Sequence, residues 1–145
     1  MSRWNSGWRT AILCLCLSLI GCSRAPIQSA DSRQLALQSL EKADGAFNSR
    51  DFAGAAEHFA AAIEHGLNAD NYANAAVMRS VCWGAAGKHQ DALVELDKLE
   101  AGAPNLDQVY AARSYVLAKQ GKLAESRAAL AKARQYNRTV QEFKD

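Results

Sequence analysis

The sequence predicts an all-α fold, a short α-solenoid of about three helix–turn–helix repeats, on three observations. From position 31 onward the chain is rich in Ala, Leu, Glu, Gln and Lys, which are good helix formers. It has no run of Val, Ile, Thr or aromatic residues that alternates with polar ones, as a half-buried strand would have. In its second half, pairs of helical segments recur at a spacing of 34 residues.

Residues 1–21 have the layout of a secretory signal, in which two arginines precede a short apolar stretch and a small residue closes it. The four residues Leu19-Ile20-Gly21-Cys22 resemble the lipobox of bacterial lipoproteins. The resemblance implies cleavage between Gly21 and Cys22, a diacylglycerol on the Cys22 thiol and an acyl chain on its amine. We expect no cofactor beyond these covalently attached lipids.

Two alternatives to this interpretation stay open, an ordinary secretory signal and an uncleaved membrane anchor. The apolar stretch is much shorter than the roughly 20 residues that span a bilayer, which disfavours the anchor. An ordinary signal needs no cysteine at the cut. A lipoprotein would lie in the cell envelope, attached to a membrane by its lipid anchor. Because Ser23 rather than Asp follows the cysteine, the resemblance implies the periplasmic face of the outer membrane in a host with two membranes.

Charge and cysteine content bound the class of protein. The chain has 17 Lys and Arg and 15 Asp and Glu, and the signal carries two of the basic residues, so the mature chain is formally neutral. That balance does not favour nucleic acid as a partner. Cys14 and Cys16 leave with the signal and Cys22 carries lipid, so Cys82 is the one remaining thiol and no intramolecular disulfide can form. The fold must therefore rest on packing.

Turn signals divide the mature chain into a tether and a run of helices. Residues 22–31 form the lipidated tether, in which Pro26 discourages helix. Asp31 or Ser32 can cap the first helix of the domain at 32–145. Within helix pairs, breaks are predicted at 48–51, at Gly87-Lys88 and at Gly121-Lys122, because glycine adopts the left-handed conformation at low cost. Between pairs, breaks are predicted at 65–68 and 102–105.

An internal repeat organises these helices. Arg79-Ser80 and Arg113-Ser114 lie 34 residues apart, as do the two Gly-Lys turns. The second helices place a small and then a bulky residue at the same spacing, namely Ala92 and Leu96, then Ser126 and Leu130; Ala55 and Phe59 form an earlier copy. The period and this pattern resemble the tetratricopeptide repeat (TPR). The resemblance implies stacked TPR-like repeats at about 36–69, 73–106 and 107–140. An ordinary helical bundle is the alternative.

The last residues carry a further apolar pattern. Tyr136, Val140 and Phe143 follow the spacing i, i+4, i+7 of one helix face. We expect this segment to extend the last helix and to cap the open end of the core. Alternatively, the same stripe could contact a partner.

The sequence offers little chemistry, and we expect that the protein is not an enzyme. His58 and His65 are two turns apart, but no flanking motif of a zinc site accompanies them, so no metal is expected. Cys82 lies between Val81 and Trp83 and is expected to behave as a small buried apolar residue. The chain has no motif of a hydrolase, a nucleotide-binding loop or a dinucleotide-binding fold, and no catalytic residue can be named.

The resemblance places the binding surface on the first helix of each pair. In this family those helices line a concave face that holds an extended or helical segment of another protein. The positions that the resemblance implies are Leu37, Leu40, Asp44 and Phe47, then Asn74, Val77 and Val81, then Gln108, Ala111, Tyr115 and Lys119. This face is mostly apolar, which suits an amphipathic helix or a hydrophobic peptide. Contact with the tether or with another copy of the chain is the alternative.

Basic residues are concentrated toward the C-terminus. They could meet anionic lipid heads or an acidic partner, or they could pair with the acidic residues at 91–100. Together these observations predict a membrane-anchored scaffold that aids assembly of an envelope complex, such as a secretin, a pilus or an outer-membrane protein. Two alternatives are a self-associating structural subunit and an accessory of cell-wall enzymes.

Overall fold

The computed structural model describes residues 29–144, and in this part of the chain all regular secondary structure is helical. The six helices are α1 (Ala30–Asn48), α2 (Phe52–His65), α3 (Ala69–Ala85), α4 (His89–Glu100), α5 (Leu106–Lys119) and α6 (Leu123–Tyr136). The predicted all-α class is confirmed. The predicted signal, the lipidation site at Cys22 and most of the tether lie outside the described residues.

Short polar side chains cap the starts of the first three helices. Ser29, Asp51 and Asn68 each accept a hydrogen bond from the backbone N–H three residues later, at 3.1, 2.9 and 2.8 Å. These bonds satisfy N–H groups that have no partner within the helix. The cap of α1 is therefore Ser29 rather than the predicted Asp31 or Ser32, and Ala30 and Asp31, which were assigned to the tether, belong to the helix.

The turns within the three helix pairs share one backbone conformation. Arg50, Gly87 and Gly121 have positive φ angles of 65°, 82° and 77°. In each turn the next backbone N–H bonds to a carbonyl five residues earlier, at 2.8–2.9 Å, which is the helix-ending pattern of a Schellman motif. Arg50 adopts this conformation without the freedom of glycine, at a cost of about 1–2 kcal/mol.

The helices pack in chain order. Each helix contacts the next one, and α3 also contacts α5. The small residues predicted at the closest approaches are buried: Ala55, Ala92 and Ser126 are each less than 9% exposed. Gly84 brings α3 close to α5, since a Cβ at this position would lie 2.8 Å from Cγ2 of Val116. Small side chains thus set the distance between helices.

One buried stripe recurs at the spacing i, i+3, i+7 on the first helix of the second and third pairs. On α3, Ala75, Met78 and Cys82 pack against the cluster of Ala43 and Phe59 from the first pair. On α5, the equivalent residues pack against the second pair; they are Val109, Ala112 and Val116. On α1, the equivalent residues are exposed and polar or small; they are Gln38, Glu41 and Gly45. The stripe is apolar where a pair precedes the helix and polar where the described chain has none.

The C-terminal residues depart from the prediction. Helix α6 ends at Tyr136, and Asn137 is extended, with φ −145° and ψ 110°. Residues 140–144 are not helical, so the predicted extension of the last helix is wrong. Val140 and Phe143 nevertheless pack against a cluster formed by Tyr110, Ala111 and Ala133.

Candidate partner-binding surface

The structure divides the predicted concave face into buried and accessible positions. Val77, Val81 and Ala111 are at most 2% exposed and belong to the core, and Tyr115 is also buried. These four positions are corrected from surface to core, because the following helix, or the C-terminal segment, packs over them. The remaining positions keep some or most of their surface in solvent; they are Leu37, Leu40, Asp44, Phe47, Asn74, Gln108 and Lys119.

The accessible positions concentrate at the N-terminal half of the face. A pocket of about 190 Å³ opens between α1, α2 and α3, and we call it the α1–α3 pocket. Its lining combines three predicted residues, Leu40, Asp44 and Asn74, with four others, Phe59, Asn71, Ala75 and Met78. Leu37 lies one turn before Leu40 on α1 and is 59% exposed. The result is a shallow apolar pocket with a carboxylate and two amides at its edge.

Amide side chains extend this surface toward α5. The Asn105 Nδ2 group donates to Asn74 Oδ1 at 2.8 Å and to Gln108 Oε1 at 3.2 Å, and all three side chains form a solvent-facing network. Asn105 immediately precedes α5, so its position is set by the turn between the second and third pairs. The repeat register predicts Asn74 and Gln108 on one face, and Asn105, for which the sequence gives no such indication, joins them.

A second polar cluster joins α4, α5 and α6. The Glu100 carboxylate accepts hydrogen bonds from the Tyr110 hydroxyl, from Arg113 at 3.1 Å and from Lys132 at 3.1 Å. Arg113 also pairs with Asp97 at 2.7 Å. Two of the C-terminal basic residues, Arg113 and Lys132, therefore pair with acidic residues of α4. This pairing was one of the two predictions for the basic region, and it is confirmed for these two residues.

These contacts shift the pKa values of the cluster. The hydrogen bond from Tyr110, followed by the one from Lys132, lowers the pKa of Glu100 below its ordinary 4.5. Burial, and then the bond to Glu100, raises the pKa of the Tyr110 hydroxyl. The bonds to Tyr110 and Glu100 raise the pKa of Lys132. Each shift favours the protonation state that holds the three helices together.

The Glu100→Gln substitution is expected to cause a small, pH-dependent loss of stability. Because the pKa of Glu100 is lower in the folded chain than in the unfolded one, its ionisation stabilises the fold above pH 4.5, and this contribution is lost as the pH falls through the folded-state pKa. The loss should be about 1 kcal/mol or less, since the side chain is 39% exposed and solvent screens it.

Urea unfolding at pH 6 and at pH 3 measures this effect. The midpoint of the variant should lie below that of the wild type at pH 6 and should approach it at pH 3. Glu57→Gln, which changes an exposed carboxylate on α2, is the matched control and should show no such convergence. A difference for Glu100→Gln that does not change with pH would contradict the assigned role of its charge.

A further pocket lies on another side of α3. It measures about 210 Å³ and is formed by residues of α3, α4 and the loop before α5, among them Tyr72, Leu99 and Pro104. Glu95, which is only 7% exposed, lies at its wall and pairs with Arg79, whose guanidinium stacks 4.8 Å from the Trp83 ring. The carboxylate is thus neutralised within the protein, and this pocket presents mainly apolar surface.

The side chains considered for catalysis or metal binding have ordinary surroundings. Cys82 is fully buried, and burial raises the pKa of its thiol to about 12, so the thiol is protonated and is no nucleophile at neutral pH. His58 and His65 are half-buried on α2. Across residues 29–144, no group of three or more His, Cys, Asp or Glu side chains is arranged to hold a metal ion.

Comparison with protein-family models, with curated proteins and with solved structures gives no match for this chain. Among the helices from α1 to α6, none combines the length and the apolar character that crossing a bilayer requires.

Proposed function

We propose that this protein is a lipid-anchored adapter of the cell envelope, built from TPR-like repeats, that binds an apolar segment of another envelope protein. The proposal rests on the α1–α3 pocket together with the exposed Leu37, which lies one helical turn before the pocket residue Leu40. Leu37 is 59% exposed on α1, and Leu40 continues its face into the pocket. Apolar side chains grouped at a pocket are typical of a binding surface.

The recurring stripe supports a solenoid of repeats. Residues 34 positions apart on α3 and α5 contact equivalent parts of the preceding helix pair. The three turns share one conformation, and α3 contacts α5 as first helices of stacked pairs would. In such an array each pair contacts mainly its neighbours, and the first helices form a continuous face.

The lining of the α1–α3 pocket indicates what the bound segment would present. Leu40, Phe59 and Met78 favour an apolar side chain in the pocket. Asp44 and Asn74 at the edge favour a hydrogen-bond donor or a positive charge beside that side chain. A short amphipathic segment with one large apolar residue next to a Lys, an Arg or a free backbone N–H meets both requirements.

The lipid at Cys22 would confine the domain to a membrane surface. Confinement raises the effective concentration of the pocket near other membrane proteins, so a modest intrinsic affinity is sufficient for capture. This makes assembly of an envelope complex the context in which the proposed binding is most useful.

Head-to-tail self-association is disfavoured as the alternative. Stacking of a second copy before α1 would require the face of Gln38, Glu41 and Gly45 to be buried, and this face is exposed and carries polar side chains. A polar outer face is what a terminal repeat needs for solubility.

The Leu37→Asp substitution is expected to reduce capture of the partner by about ten-fold or more, since a charge in an apolar contact costs more than 1.4 kcal/mol. Leu123→Asp is the matched control, because Leu123 is 56% exposed on α6, away from the pocket. The acylated proteins are crosslinked in their own membranes, purified and compared by quantitative mass spectrometry. Helix content should be unchanged in both variants. Equal capture by both variants would refute the assignment of the pocket.

A further inference from the structure

The last residues form a strap over α5 and α6. We define the strap as residues 137–144. Its Val140 and Phe143 pack against Tyr110, Ala111 and Ala133, which we call the strap-covered surface. Phe143 also reaches the main core cluster of α3, α4 and α5. Just before the strap, the Tyr136 ring stacks on Tyr110 with 5.8 Å between ring centroids. The strap therefore lies on a surface that would otherwise face solvent.

The strap follows the register of the repeats. Val140 and Phe143 lie 34 positions after Leu106 and Val109 at the start of α5. Val109 is fully buried against the second helix pair, in the cluster of Ala76, Val77 and Leu99. The residues 34 positions after these three are Tyr110, Ala111 and Ala133, which are the strap-covered surface. Phe143 thus does on the third pair what Val109 does on the second.

The strap fills this position incompletely. Against the second pair, α5 packs a complete helical stripe, formed by Val109, Ala112 and Val116. On the third pair, the strap is a non-helical segment with two half-buried apolar side chains. A helix would therefore cover the strap-covered surface more completely than the strap does.

The polar contacts that hold the strap are exposed. Arg134 pairs with Glu142 at 2.5 Å, with side chains 54% and 40% exposed. The Asn137 amide donates to Asp107 at 2.9 Å, also at the surface. Exposed pairs of this kind stabilise little, and terminal segments with few buried contacts open at low free-energy cost.

We propose that the strap is a displaceable cover, and that the strap-covered surface is a second docking site, which accepts an amphipathic helix of a partner protein. The helix presents an apolar stripe at i, i+3, i+7, as α5 does toward the second pair. Binding of this helix releases Val140 and Phe143. This site is independent of the α1–α3 pocket.

A second copy of this chain is not the occupant. The helix that would continue the array from another copy is α1, and its stripe positions are Gln38, Glu41 and Gly45. These residues lack the apolar groups that the strap-covered surface buries. The fitting partner therefore carries Val, Ala, Leu or similar residues at the three stripe positions of a helix.

A synthetic peptide with the sequence 105–120 of this chain provides the probe, because it carries the stripe of Val109, Ala112 and Val116. Its binding to the full mature protein is measured by fluorescence anisotropy. The double variant Val140→Ser with Phe143→Ser is expected to bind the peptide about ten-fold tighter than the wild type, because the apparent affinity scales with the fraction of open sites. Glu142→Lys, which removes the pair with Arg134 and keeps both apolar side chains, should give a smaller gain.

Two controls make the result specific. A peptide with Ser at the three stripe positions should not bind, and a benzophenone at peptide position 113, next to the stripe, should crosslink to α5 or α6. Leu35→Ser with Leu37→Ser, an equal loss of apolar side chains on α1, should leave the affinity at the wild-type value. The proposal is overturned if the strap variants and the wild type bind equally, if neither binds, or if the α1 variant gains as much. Each of these results would mean that the strap is a permanent cap of the core and not a displaceable cover.

Discussion

Replacement of Leu96 with alanine is expected to lower the free energy of unfolding by roughly 2–5 kcal/mol. Leu96 is 0% exposed and belongs to the cluster in which α3, α4 and α5 meet. The substitution removes apolar surface that is buried on folding. It also leaves a cavity that the surrounding helices cannot close completely. A small domain has a total stability of only about 5–15 kcal/mol, so the variant should be close to the limit of folding.

Urea unfolding followed by circular dichroism measures the effect. Val94→Ala is the matched control, because Val94 lies on the same helix two positions earlier and is 42% exposed. The control should shift the midpoint by a small fraction of the Leu96→Ala shift. Equal shifts for the two variants would mean that α4 does not present Leu96 to a packed core.

The Cys22→Ala substitution is expected to abolish acylation and with it the lipid-mediated attachment to the membrane. If Cys22 is the lipidated residue, its loss removes every acyl chain, and each buried CH₂ contributes about 0.8 kcal/mol to attachment. The protein should then appear as an uncleaved precursor or as a soluble product. Membrane fractionation and the mass of the purified chain distinguish these outcomes from the acylated wild type.

Cys16→Ala is the control for this experiment, since it changes another cysteine within the same apolar segment. Its processing and membrane attachment should match the wild type. If the Cys22→Ala variant were cleaved and retained at the membrane like the wild type, the lipobox interpretation would be wrong. This outcome does not depend on what the α1–α3 pocket binds.

The helix boundaries were the most predictable part of the fold because local chemistry sets them. Gly87 and Gly121 adopt the left-handed conformation that their sequence context predicts, and the predicted breaks fall between the observed helices. Arg50 takes the same conformation although its side chain gives no such signal. For Arg50, the only indication in the sequence was its position 37 residues before Gly87, at the equivalent point of the first helix pair.

The C-terminal strap shows where sequence periodicity fails. Val140 and Phe143 fit a helix face by spacing, yet both reach the core from a non-helical segment. Periodicity does not distinguish these cases over so few residues. The Asn137 side chain accepts from the Thr139 backbone N–H at 3.0 Å, and such a local bond competes with continuation of the helix.

The candidate surface was predictable only in part, since burial depends on how neighbouring pairs stack. Leu40, Asp44 and Asn74 were identified from the repeat register and line the α1–α3 pocket. Val77 and Val81 occupy equivalent register positions but are covered by the following pair. Phe59 and Met78 were not assigned to the face, because they come from the second helix and from the stripe that packs against the first pair.

The most direct test of the proposed adapter function is site-specific photo-crosslinking in the native membrane. A photoreactive amino acid is placed at Leu37 in one protein and at Leu123 in another, both fully acylated. We expect that position 37 crosslinks a distinct envelope protein and that position 123 does not. Absence of any protein crosslinked through position 37, or the same products from both positions, would contradict the claim that the α1–α3 pocket binds a partner.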